Sequence, residues 1–234
     1  MIKLVIFDLD GVLADTLPLH WQSYTKAFAP YGVKPELDYY ARMMGIPTEK
    51  TVARFAERYN VRADTASIAA RKHQLFHALL KDVKPVKGAV ELVKALKKHG
   101  FRLAVTSNAP REEVSAMLAK FGIEAYFDSI VTLDDVKNPK PSPEMFRKVC
   151  HELGIKPGHA LVIEDGMYGI QGAKQCGMHS IGLRTKFNKY QDFSAASMEI
   201  KSLGQLDVEK IKALNNFGEK YSLFPGQKIK IATM

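Results

Sequence analysis

The chain has 234 residues, 46% hydrophobic and 25% charged, a composition that excludes intrinsic disorder and a length that allows one sizeable core plus an insertion. Its formal charge of +9, from 34 basic and 25 acidic side chains, would draw phosphate esters, nucleic acid or anionic membranes alike, but the positives are scattered, with only short clusters such as Arg71-Lys72-His73. With no nucleic-acid-binding motif and no apolar run near the roughly 20 residues of a membrane span, neither nucleic acid nor membrane is expected as a partner.

Met1 leads directly into the apolar run Ile2 to Phe7 without a basic segment or cleavage site, so a cytoplasmic location is expected. That run predicts a buried strand ending in Phe7-Asp8-Leu9-Asp10-Gly11-Val12. Strand side chains alternate in direction, so Asp8 and Asp10 can point the same way where strand geometry persists, and Gly11 frees the backbone to turn. From about Leu17 to Val83 helix formers dominate, with breaks near Pro30-Tyr31-Gly32, Gly45-Ile46-Pro47 and Asn60.

Beyond Pro85 the pattern becomes a regular alternation. Helices are predicted over Ala89 to His99, Arg111 to Phe121, Pro143 to Leu153 and Tyr168 to Cys176, and strands over Phe101 to Thr106, Ser129 to Leu133, Ala160 to Ile163 and Ser180 to Leu183. Such alternation specifies an α/β fold, a doubly wound, Rossmann-like parallel sheet with helices on both faces. A last core helix is predicted over Gln205 to Leu214, followed by a tail with turn and strand signals at Pro225-Gly226 and Lys228-Ile229-Lys230-Ile231. Cys150 and Cys176 lack metal-site spacing and are expected to be free thiols.

Connections after strands in such folds take about 2 to 6 residues, so the roughly 70 residues between Gly11 and Pro85 are not an ordinary loop. The expected organisation is a core domain of residues 1–14 and 85–216, a small helical cap domain of residues 15–84 inserted after the first strand, and a tail of residues 217–234 with no assigned role. A cap inserted there belongs over the carboxyl ends of the strands, where open α/β sheets place their ligands.

Polar side chains follow four separate predicted strands in the order a phosphoryl-transfer site requires: Asp8 and Asp10, then Ser107, then Lys140, then Glu164 and Asp165. Each alone has a plain alternative. A DxD can be a solvated turn, Ser107-Asn108 can cap the helix beginning near Pro110, Lys140 can be a solvated loop lysine, and Glu164-Asp165-Gly166 can be a turn with a helix cap. Their order at strand ends favours a site. Four carboxylates around a phosphate dianion would repel it by about 4 kcal/mol per charge pair at 4 Å and an effective dielectric near 20, so a cation is required, and Mg2+ suits an all-oxygen set. The Ser107 hydroxyl and the backbone N–H of Asn108 can hold equatorial phosphoryl oxygens, while Lys140 adds a compact positive charge.

These motifs resemble those of the haloacid dehalogenase-like superfamily, in the group with a helical cap between the first two motifs. The resemblance covers about residues 2–215 and is carried by Phe7-Asp8-Leu9-Asp10-Gly11-Val12-Leu13-Ala14-Asp15-Thr16, Val105-Thr106-Ser107-Asn108, Lys140-Pro141-Ser142-Pro143-Glu144, and Ile163-Glu164-Asp165-Gly166 with Gly169, Ala173 and Gly177. Several of these are similar to the β-phosphoglucomutase-like and phosphoglycolate phosphatase-like members. The resemblance implies that Asp8 is a nucleophile forming an aspartyl-phosphate, and that Asp10 is the acid and base. It also implies Mg2+ ligands in the Asp8 side chain, the Asp10 backbone and Asp165, with Glu164 direct or through water. The superfamily's dehalogenases lack the second acid, so Asp10 argues against carbon–halogen chemistry.

In the cap, His20 matches a histidine that the mutase-like relatives use near the acid/base aspartate, although the neighbouring stripe Trp21, Tyr24 and Phe28 also suits a place at the edge of the cap core. Thr48 stands where those relatives have a phosphate-gripping arginine, so bidentate recognition is lost there and the mutase activity is less favoured. Arg71 and Lys72 are candidates for touching a distal anion, a solvated helix face being the alternative. The expected protein is a monomeric Mg2+-dependent phosphatase of a small phosphorylated metabolite, of sugar phosphate or phosphoglycolate type. β-Phosphoglucomutase and inorganic pyrophosphatase activities on the same site are the alternatives, with a non-catalytic phosphate-binding module the rival of another class.

Overall fold

The computed structural model describes residues 1–214; the expected tail, 217–234, and the last two residues of the expected core lie outside them. Six strands make one sheet: β1 (Leu4–Phe7), β2 (Arg102–Thr106), β3 (Ser129–Val131), β4 (Ala160–Glu164), β5 (His179–Leu183) and β6 (Met198–Ile200). All neighbours are parallel, in the order β3-β2-β1-β4-β5-β6, the doubly wound arrangement anticipated from the alternation of elements. β6 was not anticipated. It is three residues long and exists through its register with Ile181 to Leu183, a pairing that local sequence does not announce.

Nine helices are described: α1 (Leu17–Phe28), α2 (Leu37–Met43), α3 (Thr48–Arg58), α4 (Thr65–Leu80), α5 (Ala89–Lys98), α6 (Arg111–Lys120), α7 (Glu144–Leu153), α8 (Met167–Gln175) and α9 (Val208–Ala213). None of them is long and apolar enough to cross a membrane.

The chain divides into two compact units. The first comprises Met1–Ala14, Pro85–Arg184 and the described residues from Asp192 to Leu214. Its sheet is buried because β1, fully enclosed, reads as one apolar run. Leu4 and Ile6 of β1 and Ala160 and Val162 of β4 face Met145, Phe146 and Val149 of α7 and Ala173 of α8. In α7 the buried residues recur one and four apart, and Gly154, at φ 63°, ends the helix in the left-handed conformation that suits glycine. At β5, a Cβ on Gly182 would meet the Phe193 ring at 2.4 Å, so the connection after β5 lies directly on that strand.

The second unit comprises Asp15–Lys84 and Thr185–Gln191. Helices α1 to α4 surround an aromatic cluster in which Tyr24 and Phe28 meet the edge of Phe55 at centroid distances of 5.4 and 5.7 Å. Asp64 caps α4, accepting from the N–H groups of Ala66 and Ser67. The domain boundary expected from sequence placed residues 185–191 with the core. They pack instead in the helical unit, because Phe187 joins its apolar cluster and Gln191 donates to the Met44 carbonyl at 2.9 Å. Tyr190 lies under the Arg42 guanidinium at 3.9 Å and donates to Asp38 at 2.8 Å, and Lys189 also pairs with Asp38.

One ion cluster ties the first unit together at the amino ends of β2 and β3. Asp128, just before β3, accepts from Lys97 Nζ at 2.7 Å, Leu103 N–H at 2.9 Å and Arg102 Nε at 3.0 Å. Partial burial pushes its pKa up, but these donors outweigh it and hold the carboxyl below the usual range. A depressed folded-state pKa stabilises above the unfolded-state value and ceases to as pH falls through the folded one. Asp128→Ala is therefore expected to lower the urea midpoint at pH 7, by about 1–3 kcal/mol of stability, and the gap from the wild type should close as pH is taken below about 4. A gap that persists unchanged to low pH would contradict this account.

Candidate active site

The site forms where the sheet reverses its direction of growth, at the carboxyl ends of β1, β2 and β4. Asp8 continues the ladder one residue past β1, its N–H donating to the Ile163 carbonyl at 3.0 Å. The chain then curls on itself: the Leu9 carbonyl accepts from Leu13 and Ala14 N–H at 2.9 and 2.8 Å, and Gly11, at φ 77°, donates to the Ala14 carbonyl at 2.8 Å. This curl places half-buried Asp10 next to the strand end. Ser107 follows β2, while Glu164 ends β4 and Asp165 follows it.

Lys140 arrives from the irregular segment before α7 and brings these strand ends together. Its ammonium donates to Asp8 Oδ1 at 2.7 Å, Glu164 Oε1 at 2.8 Å and the Thr106 carbonyl at 2.8 Å, so every proton has an acceptor. The plain alternative of a solvated loop lysine is excluded, since Lys140 is 7% exposed. Burial alone would lower its pKa, but the Asp8 and Glu164 carboxylates override that and raise it. The peptide bond between Lys140 and Pro141 is cis.

Asp8, Glu164 and Asp165 are all buried, and each offers a carboxylate oxygen within 4.8 Å of the others. One ammonium cannot neutralise three carboxylates. Burial, then repulsion from Glu164, outweighs Lys140 and pushes Asp8 up to about 8; burial followed by Asp8 and Glu164 pushes Asp165 well above its ordinary range. A hard, all-oxygen donor set in which Asp8 and Asp165 are both pushed toward the neutral form fits a divalent cation, which would supply the missing positive charge. The Asp10 carboxylate is not part of this triplet, though it adds to the repulsion on both Asp8 and Asp165.

Local packing holds the acids in place. Glu164 Oε2 accepts from Gly166 N–H at 2.9 Å, and its side chain lies over Gly169, where a Cβ would come within 1.7 Å of Oε1. Glycine at 169 is thus a steric condition for Glu164 to reach Lys140. Ser107 is buried, and its hydroxyl accepts from Ala109 N–H at 3.0 Å, which leaves its proton to be donated. The Asn108 carboxamide pairs with the backbone of Lys140, and the Thr106 carbonyl holds the lysine. Sequence motifs gave no sign of these last two contacts, because both run between backbone and side chain across distant segments.

In the helical unit, Lys72 is 2% exposed, which excludes for it the alternative of a solvated helix face. Its side chain lies between α4 and α1, with the ammonium 5.1 Å from the Tyr24 ring centroid, 4.8 Å from that of Phe76 and 3.2 Å from His20 Nδ1. His20 is half-buried and stacks on Phe76 at 3.9 Å. Burial, and then Lys72, lowers its pKa well below 6.5, so His20 is neutral and its Nδ1 accepts, placing the ring proton on Nε2. Arg71 is exposed. The Thr48 hydroxyl is 3.4 Å from the Tyr24 hydroxyl.

Comparison with known proteins extends these observations. The chain is 34% identical over 181 residues to a phosphorylated carbohydrates phosphatase of Thermotoga maritima, spanning 76% of this chain and 82% of the relative. It is 34% identical over 220 residues to the pyrophosphatase PpaX of Halalkalibacterium halodurans, spanning 91% and 99%. Among solved structures, a β-phosphoglucomutase-like protein of Thermotoga maritima superposes with a TM-score of 0.70 at 29% identity, covering 86% of this chain and 94% of the other. The model of the haloacid dehalogenase-like hydrolases matches residues 5–183, the stretch that carries all four strand-end motifs, and the chain belongs to that family.

Proposed function

We propose that this chain is a Mg2+-dependent phosphatase of small phosphorylated metabolites, sugar phosphates foremost, acting through an aspartyl-phosphate on Asp8. The observation that carries this reading is the buried Asp8 carboxylate, fixed by Lys140 at 2.7 Å beside Glu164 and Asp165 at the sheet's switch point. Asp8 attacks phosphorus, a bond forms to its free carboxylate oxygen, and the bond to the departing alkoxide breaks as Asp10 gives it a proton. A water then attacks the same phosphorus, Asp10 takes its proton, and the bond to Asp8 breaks. One carboxyl serves both steps because giving its proton leaves it the base that the second step needs, and taking the water's proton restores the acid.

Lys140 keeps Asp8 oriented and offsets its charge, and the Ser107 hydroxyl donates to an equatorial oxygen with the N–H of Asn108 beside it. Asp8, the Asp10 backbone and Asp165, with Glu164 direct or through water, would hold Mg2+, which supplies charge neutralisation for the phosphoryl oxygens. In the helical unit His20 and Lys72, 3.2 Å apart, are read as setting substrate choice, with Arg71 and Thr48 as lesser contributors. Thr48, engaged with Tyr24, offers no bidentate grip for a second phosphate, which disfavours the mutase. Pyrophosphate hydrolysis remains a second reading, favoured by the match to PpaX over nearly its whole length.

A panel of phosphomonoesters and pyrophosphate tests the proposal. Phosphate release is expected to need Mg2+, to stop with a chelator and resume on adding back the ion, and to fall at least about 1000-fold in Asp8→Asn. Release that is independent of the ion, or unchanged in Asp8→Asn, overturns it. Lys72→Met, which keeps the packed stem and removes the charge, is expected to raise KM about tenfold with kcat less affected. A change confined to thermal stability would make Lys72 a structural residue.

A further inference from the structure

The phosphatase reading needs the Lys140 ammonium at one point, yet the residue sits on the irregular chain between β3 and α7, where neither helix nor strand hydrogen bonds hold it. Its neighbours Pro139 and Pro141 have no backbone N–H to donate. What fixes the flanks is visible: Glu144 accepts from Lys137 and Asn138 N–H at 2.9 and 3.0 Å, Ser142 N–H donates to the Pro139 carbonyl at 3.0 Å, and Gln175 donates to the Pro141 carbonyl at 3.2 Å. None of these touches the backbone of Lys140 itself.

Asn108 does. Its Oδ1 accepts from Lys140 N–H at 3.0 Å, and its Nδ2 donates to the Lys140 carbonyl at 3.2 Å. A carboxamide is the side chain that offers one acceptor and one donor side by side, so it can satisfy both polar groups of a single residue as a neighbouring strand would. Asn108 lies two residues beyond Thr106, whose carbonyl accepts from the Lys140 ammonium. One short stretch at the end of β2 therefore grips Lys140 at both ends, backbone by Asn108 and ammonium by Thr106.

We propose that Asn108 is a positioning residue for Lys140: its carboxamide clamps the lysine's peptide unit so that the ammonium lies against Asp8. This rests on the phosphatase reading for its kinetic consequence and on geometry alone for the clamp. It also changes what the side chain is for, since the expected phosphate contact at this position came from the backbone N–H. Asn108 is exposed, so its replacement should leave the fold intact while loosening the lysine.

The test compares Asn108→Leu, similar in shape without either hydrogen bond, with Asn108→Asp, which keeps the acceptor for Lys140 N–H. Amide hydrogen exchange at Lys140 is expected to speed up in the leucine variant and to stay near wild type in the aspartate variant. With the best phosphomonoester, kcat should fall about tenfold in Asn108→Leu and less in Asn108→Asp, with KM within about twofold. Unchanged exchange at Lys140 in Asn108→Leu overturns the clamp. So does a raised KM with kcat intact, which would make Asn108 a substrate-binding side chain. A wild-type protein that releases no phosphate defeats the phosphatase reading, while the exchange measurement still decides the clamp.

Discussion

The Lys140 ammonium, buried among two carboxylates and a carbonyl, is the constraint from which the rest of the site follows. Its three acceptors come from three adjacent strands: Asp8 after β1, Thr106 at the end of β2 and Glu164 at the end of β4. A single side chain thereby couples the register of the sheet's centre to the placement of the Asp8 carboxylate. Breaking such a pair in a low-dielectric interior leaves an uncompensated charge, with an associated cost of about 3–5 kcal/mol, so chemistry and local stability are joined here. The remaining imbalance, three buried carboxylates to one ammonium, is what makes the place hospitable to a divalent cation and inhospitable to a bare anion.

Sheet topology explains why these groups meet. Strands β2 and β3 extend the sheet to one side of β1, and β4 to β6 to the other, so the connections diverge above β1 and leave room at its carboxyl end. Small residues then set the approach distances. Gly11 turns the chain after the strand, and Gly169 lets Glu164 lie flat against α8.

Much of this was legible in the sequence. Short apolar runs such as Leu4–Phe7, set in regular alternation with helical segments, read as strands buried on both faces, and the polar residues that end such runs mark where a strand gives way to a loop. The site was readable for the same reason, as the motifs sit at those interruptions. What escaped was set by non-local pairing. β6 depends on β5, Lys72 is buried by rings on α1 and α4, and the Asn108 contact joins residues 32 apart in sequence. A lysine next to an arginine on a helix reads as solvent-facing until the position of the neighbouring helix is known.

The placement of residues 185–191 has a consequence for moving the helical unit from one chain to another. The helical unit is encoded in two stretches separated by a hundred residues of the other unit, and Phe187 and Asp38 hold partners from both. A chimaera that transplants residues 15–84 alone would import an apolar cluster lacking its Phe187 plug and strand a tyrosine and a lysine at 190 and 189 without their carboxylate. Burying a phenylalanine is worth roughly 1.5–3 kcal/mol, so such a graft would be less stable than the intact unit by about that much. Transplanting the helical unit intact therefore requires both stretches together.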